Sequence, residues 1–166
     1  MLEYPVQLGA GMKRCLNGPM GESTPIKGGC LCGRVRFQVS EPLLEAEYCH
    51  CKRCQRRTGT FASASAMTAP GTFHVTEGEE LLSAFRPGDG WHDYFCRECG
   101  SDIYAQSHED PRLICVPMGA IDGDPGVRPA LHQYVAYAAP WDPLPDDGLP
   151  RYDDGIPSSR ARGPSF

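Results

Sequence analysis

The chain reads as a mainly β protein of short antiparallel strands with little helix. Three observations predict this. Glycine and proline are plentiful and scattered, at 19 and 16 of 166 residues, so turns recur too often for long helices. Apolar and polar residues alternate over short runs, the period of a half-buried strand. Seven of the nine cysteines fall into three tight clusters at the ends of such runs, where turns can present side chains to one another.

The elements follow in chain order. Residues 1–25 carry little pattern and are interrupted by Gly9, Gly11, Gly18, Pro19 and Gly21, so they read as a loosely ordered leader. A strand is predicted over 34–39, bounded by Gly28-Gly29 before it and Glu41-Pro42 after it. Residues 52–57 form the one segment able to make a short helix. Small-residue alternation over 61–67 suggests a strand under close packing. Two more strands, 72–76 and 81–85, flank the turn Glu77-Gly78-Glu79-Glu80. A strand over 91–95 runs into the third cysteine cluster, and 103–105, 113–116 and 131–137 supply the later strands. One domain over 26–153 and a polar tail over 154–166 complete the organisation.

Composition excludes several function classes. Charged residues are 22% and hydrophobic residues 40%, ordinary for a globular domain. No apolar run approaches the roughly 18 residues of a membrane span, and the first 26 residues lack the layout of a secretory signal. The expectation is a cytoplasmic, reducing location with no membrane partner. There, clustered cysteines are metal ligands more often than disulfides. The formal charge is −5; seven bound thiolates and two zinc ions would take it to about −8. Such an acidic chain is poorly suited to neutralising phosphates, so no nucleic-acid partner is expected, in spite of Arg53, Arg56 and Arg57.

The clusters divide four and three. Cys30-Leu31-Cys32 and Cys96-Arg97-Glu98-Cys99 are each followed by glycine, Gly33 and Gly100. Glycine lets the backbone turn sharply and aim its amides at sulfur. Two such knuckles, one before an early strand and one after a later strand, can meet in a closed zinc site of four cysteines. That site would be structural, with a folding contribution on the order of 10 kcal/mol or more.

The middle cluster, Cys49-His50-Cys51-Lys52-Arg53-Cys54, offers three sulfurs. In an extended segment His50 faces away from Cys49 and Cys51, so it is a poor fourth ligand. Spacing alone leaves two readings. A distant residue (Cys115, Cys15, His74, His92, His108 or His132) closes a second structural site, or the site stays open to a substrate. Lys52, Arg53, Arg56 and Arg57 crowd Cys54 with more positive charge than a three-thiolate zinc needs. Some of it solvates a helix face; the rest suits a small substrate bearing carboxylates, which arginine grips in bidentate fashion.

Three ordered stretches resemble the glutathione-dependent formaldehyde-activating enzyme family. They are Gly29-Cys30-Leu31-Cys32-Gly33, Cys49-His50-Cys51-x-x-Cys54-Gln55-Arg56-Arg57-x-Gly59 and Phe95-Cys96-x-x-Cys99-Gly100-Ser101, with Gln55 standing where members often have arginine. Val116 to Asp122 and Ala139-Pro140-Trp141 are similar to later family segments. The resemblance implies an Mss4-like β-tent, shared with centromere protein V, and two zinc ions per chain. It implies structural zinc on Cys30, Cys32, Cys96 and Cys99, and catalytic zinc on Cys49, Cys51 and Cys54. It also implies a carbon–sulfur lyase chemistry that joins a thiol such as glutathione to a small aldehyde such as formaldehyde. The local crowding of charge, apart from the resemblance, makes Arg53, Arg56 and Arg57 the candidate substrate contacts. The rival expectation is a non-catalytic, two-zinc module that binds another protein. The sequence leaves the oligomeric state open.

Overall fold

The structure, a computed structural model, describes residues 24–87 and 90–156. The expected leader therefore falls almost wholly outside the described residues, as does most of the expected tail. Among those described, eleven strands and one α-helix form two sheets. The small sheet has β1 (Ile26–Gly29), β2 (Arg36–Val39) and β5 (Phe73–Glu77) in the order β1-β2-β5, all antiparallel. The large sheet adds β3 (Ala46–Cys49), β4 (Ser63–Met67), β6 (Leu82–Phe85), β7 (Trp91–Cys96), β8 (Asp102–Ser107), β9 (Ile114–Pro117), β10 (Pro129–Gln133) and β11 (Arg151–Tyr152). Its order is β11-β10-β3-β4-β9-β8-β7-β6, antiparallel except where β10 runs parallel to β3 and to β11. Helix α1 spans Lys52–Thr58 between β3 and β4.

Burial follows the alternation read in the sequence. In β2, Phe37 and Val39 are buried while Arg36 and Gln38 are not. They meet Val35, Leu43, Ala46, Ala66, Ile103, Val116 and Ile121 in one core between the sheets. Phe73 links the layers, 5.3 Å from Phe37 in its own sheet and 4.8 Å from Tyr104 of the large one, centroid to centroid. Removing this apolar area from water at roughly 25 cal/mol per Å² is the main drive for the two layers to meet.

Two elements depart from expectation. The strands flanking Gly78 are present but do not pair with each other: β5 joins β2, and β6 joins β7. Gly78 and a 3-10 turn at Glu79–Leu81 carry the chain from one sheet to the other. The segment 131–137 is a strand only to Gln133; Tyr134 takes a left-handed φ of 59°, and a 3-10 turn follows at Val135–Tyr137. Strands β1, β3 and β11 escape a reading by alternation, being two to four residues long.

Candidate metal centres

The first two cysteine knuckles meet where the sheets join. Cys30 follows β1 and Cys32 lies in the β1–β2 turn, whereas Cys96 ends β7 and Cys99 lies in the β7–β8 turn. Their four sulfurs all lie within 4.8 Å of one another, with Cys30 to Cys32 at 3.3 Å and Cys32 to Cys96 at 3.9 Å. Ligands on a tetrahedral zinc at about 2.3 Å stand about 3.8 Å apart, so the set fits that metal. The knuckles share one construction. Gly33 N–H returns to the Cys30 carbonyl at 3.0 Å and Gly100 N–H to the Cys96 carbonyl at 2.8 Å, each glycine at φ +75°. Val35 N–H donates to Cys30 Sγ at 3.2 Å. The Ser101 hydroxyl, 3.3 Å from Cys99 Sγ, lowers that thiol to about 6, and also accepts from Leu31 N–H at 3.0 Å. An Arg34–Glu98 ion pair at 2.5 Å crosses between the knuckles.

The second cluster is built by the β3-to-α1 turn. Cys49 ends β3, Cys51 is the N-cap of α1, and Cys54 sits in its first turn. Cys51 Sγ accepts from Cys54 N–H at 3.4 Å, where an Asp or Ser oxygen usually caps. The three sulfurs lie within 4.8 Å of one another. Hydrogen bonds from the Cys49 and Cys54 thiols draw Cys51 down to about 2, and the same contacts with burial drive Cys49 upward. That soft, convergent donor set fits a zinc ion. Among the described residues no fourth His, Cys, Asp or Glu donor joins the trio within that span. Of the distant candidates, Cys115 is half-buried in β9 and raised to about 12 by burial. His92 packs on His108, and His132 on His50; His74 lies in β5 of the small sheet, and Cys15 is outside the described residues.

The arginines divide into two kinds. Arg57, with 19% of its side chain exposed, is bound to Asp93 of β7 and lies 3.2 Å from Asp102 of β8. Arg53 lies 3.5 Å from Asp93 and donates to the Trp91 carbonyl at 2.8 Å. Arg56 is exposed and forms no ion pair with the described residues. Arg57 Nε and Asp93 Oδ2 are buried and lack a hydrogen-bond partner, so this contact fastens α1 to the sheet at some desolvation cost. Gln55, at the position where arginine was the expected residue, donates to the His50 carbonyl at 2.6 Å and the Tyr137 carbonyl at 2.8 Å.

A family model described as glutathione-dependent formaldehyde-activating enzyme matches residues 25–137, a span that includes both clusters. The chain belongs to this family. A solved structure of a Rhodobacter sphaeroides protein is similar, at 25% identity and a TM-score of 0.52, covering 76% of this chain and 98% of that one. Family membership suggests a zinc-binding function related to glutathione and formaldehyde, and the mainly β architecture agrees with it.

Sequence reasoning missed the residues around the trio. Ser63 of β4 is the register partner of Cys49 and is buried beside it. Gln133 of β10 is its partner on the other side, and hydrogen-bonds Glu47. Burial raises Glu47 to about 7, with Glu45 repulsion adding to it and the Gln133 hydrogen bond opposing. Asp93 is buried in β7, whose burial does not alternate, so no local pattern marked it.

Proposed function

We propose that the chain is a carbon–sulfur lyase or synthase-type enzyme that adds a glutathione-like thiol to a small, formaldehyde-like aldehyde at the Cys49–Cys51–Cys54 site. The observation that carries this reading is the unequal donor count: four sulfurs at the sheet junction, three at the head of α1, with no fourth donor among the described residues. A four-sulfur set completes a tetrahedral zinc and holds a fold together, whereas a three-sulfur set leaves room for a reactant. A zinc ion on the trio would supply Lewis acidity and stabilise an incoming thiol as thiolate.

The residues of the chain divide the remaining work. Cys49, Cys51 and Cys54 hold the metal, and Cys30, Cys32, Cys96 and Cys99 hold the structural one, which makes two zinc ions per chain. Arg57, bound on both sides by Asp93 and Asp102, fixes the pitch of α1 and leaves little of its guanidinium for a substrate. Arg56 is the exposed cation on the same helix and suits a carboxylate of the thiol substrate; Arg53 is partly committed and comes second. Holding thiol and aldehyde together at one place would supply much of the rate.

Zinc stoichiometry tests the reading. Wild type should hold two zinc ions, and Cys54→Ser should hold one, stay folded and lose thiol-dependent aldehyde consumption. Full activity in that variant would sink the proposal. Two zinc ions that both resist glutathione would favour a protein-binding module.

A further inference from the structure

Between Cys49 and Cys51, His50 takes no part in the sulfur cluster and instead begins a buried polar line. Its Nε2 stands 2.8 Å from His132 Nδ1, and His132 Nε2 stands 2.9 Å from Asp147 Oδ2. Both imidazoles are 1% exposed. The Phe61 ring lies against His50, 6.1 Å between centroids. Tyr48 stacks on the His132 ring at 5.0 Å and 21°. The acidic groups facing the line are Asp147 at its end and Asp142 near His50.

At the outer end of the line, the His132 hydrogen bond holds Asp147 below the usual carboxylate range.

Anchoring of the metal turn concentrates on this residue. β3 ends at Cys49 and α1 begins at Lys52, so residues 50 and 51 lie outside both. His50 is held at its N–H by the Gln133 carbonyl at 2.9 Å, at its carbonyl by Gln55, and at its ring by His132. His132 is held by its N–H to the Pro150 carbonyl at 2.8 Å, and Asp147 Oδ1 accepts from Leu149 N–H at 3.1 Å. The line thus ties the sulfur-bearing turn to the segment between β10 and β11.

We infer that His132, oriented by Asp147, is a positioning residue for the trio: it holds His50, and through His50 the turn that brings Cys49 and Cys51 to Cys54. This rests on the trio being a metal site, as proposed above. Removing a direct partner of a metal ligand commonly costs about 10- to 100-fold in affinity; His132 acts one residue further back, through His50, so the lower end of that range is expected.

The test uses the full-length zinc-loaded protein and the variants His132→Leu, His132→Asn and Asp147→Asn. Release of each zinc to a chromogenic chelator is followed beside thermal unfolding. His132→Leu and Asp147→Asn should release the trio's zinc about tenfold faster or more, while release from the four-cysteine site stays unchanged. His132→Asn keeps a polar atom near the Nδ1 position and should release it more slowly than His132→Leu. Wild-type release rates in all three variants would overturn the inference, as would parallel acceleration at both sites that merely follows a lower melting temperature. If His132→Leu does not fold, Asp147→Asn, at the solvent-facing end of the line, decides the matter. A trio whose zinc release depends on the line but which consumes no aldehyde sinks the proposed reaction and leaves this inference standing. A wild-type protein holding one zinc overturns both.

Discussion

Arg57 shows how a residue's neighbours decide its role. On the sequence it is one of four cations crowding Cys54; in the fold it faces Asp93, of whose side chain only 4% is exposed. Both charges are largely out of water, so removing one leaves the other stranded, typically at a cost of about 3–5 kcal/mol. Arg57→Leu should therefore lower unfolding free energy by about 3 kcal/mol in a denaturant titration, whereas Arg56→Ala, at an exposed position, should change it by less than about 0.5 kcal/mol. The same Arg56→Ala variant should raise the KM for a carboxylate-bearing thiol and leave zinc content at wild-type level. Equal stability losses in the two variants would contradict the division. The cysteines were legible without a fold because their spacing is itself the signal. Asp93 was not, because its partner lies 36 residues away on α1 and nothing local marks the pairing.

The knuckles carry the argument for elements. Gly33 and Gly100 both sit at φ +75°, and a Cβ on either would meet no atom within 4 Å. The cost of Gly33→Ala or Gly100→Ala is therefore backbone strain alone, about 1 kcal/mol each. Since each amide closes a turn around a pair of sulfurs, zinc release from the four-cysteine site should quicken in both variants while the trio's release is unchanged. A fall in melting temperature without faster release would separate turn strain from metal retention. Among elements generally, strands with clear alternation such as β2 were visible in the sequence, as was the short helix α1, whose caps at Cys51 and Gly59 only the structure shows. The short β1, β3 and β11 gain their strand character from pairing, which is a property of their neighbours.

At the scale of the molecule, the proposed reading makes the four-cysteine site a rivet between layers. The three-stranded and eight-stranded sheets meet through a shared core, one isolated bridge from Gly28 to Ile121, and the sulfurs of Cys30, Cys32, Cys96 and Cys99. Cys99→Ser, or exhaustive chelation, should abolish cooperative unfolding and near-ultraviolet circular dichroism, since metal bound by thiolates contributes folding energy comparable to a domain's net stability. Cys54→Ser should leave both intact. Retention of the native transition after loss of the four-cysteine metal would refute the rivet. The sequence by itself determined the donor sets, their division into four and three, and the mainly β character, because ligand spacing and side-chain alternation are local chemistry. Tertiary structure decided which sheet β5 and β6 join, which arginine remains exposed, and that His50, His132 and Asp147 form one line. Each of these depends on segments far apart in the chain being brought together, and burial of a common core rather than any local signal chooses those neighbours.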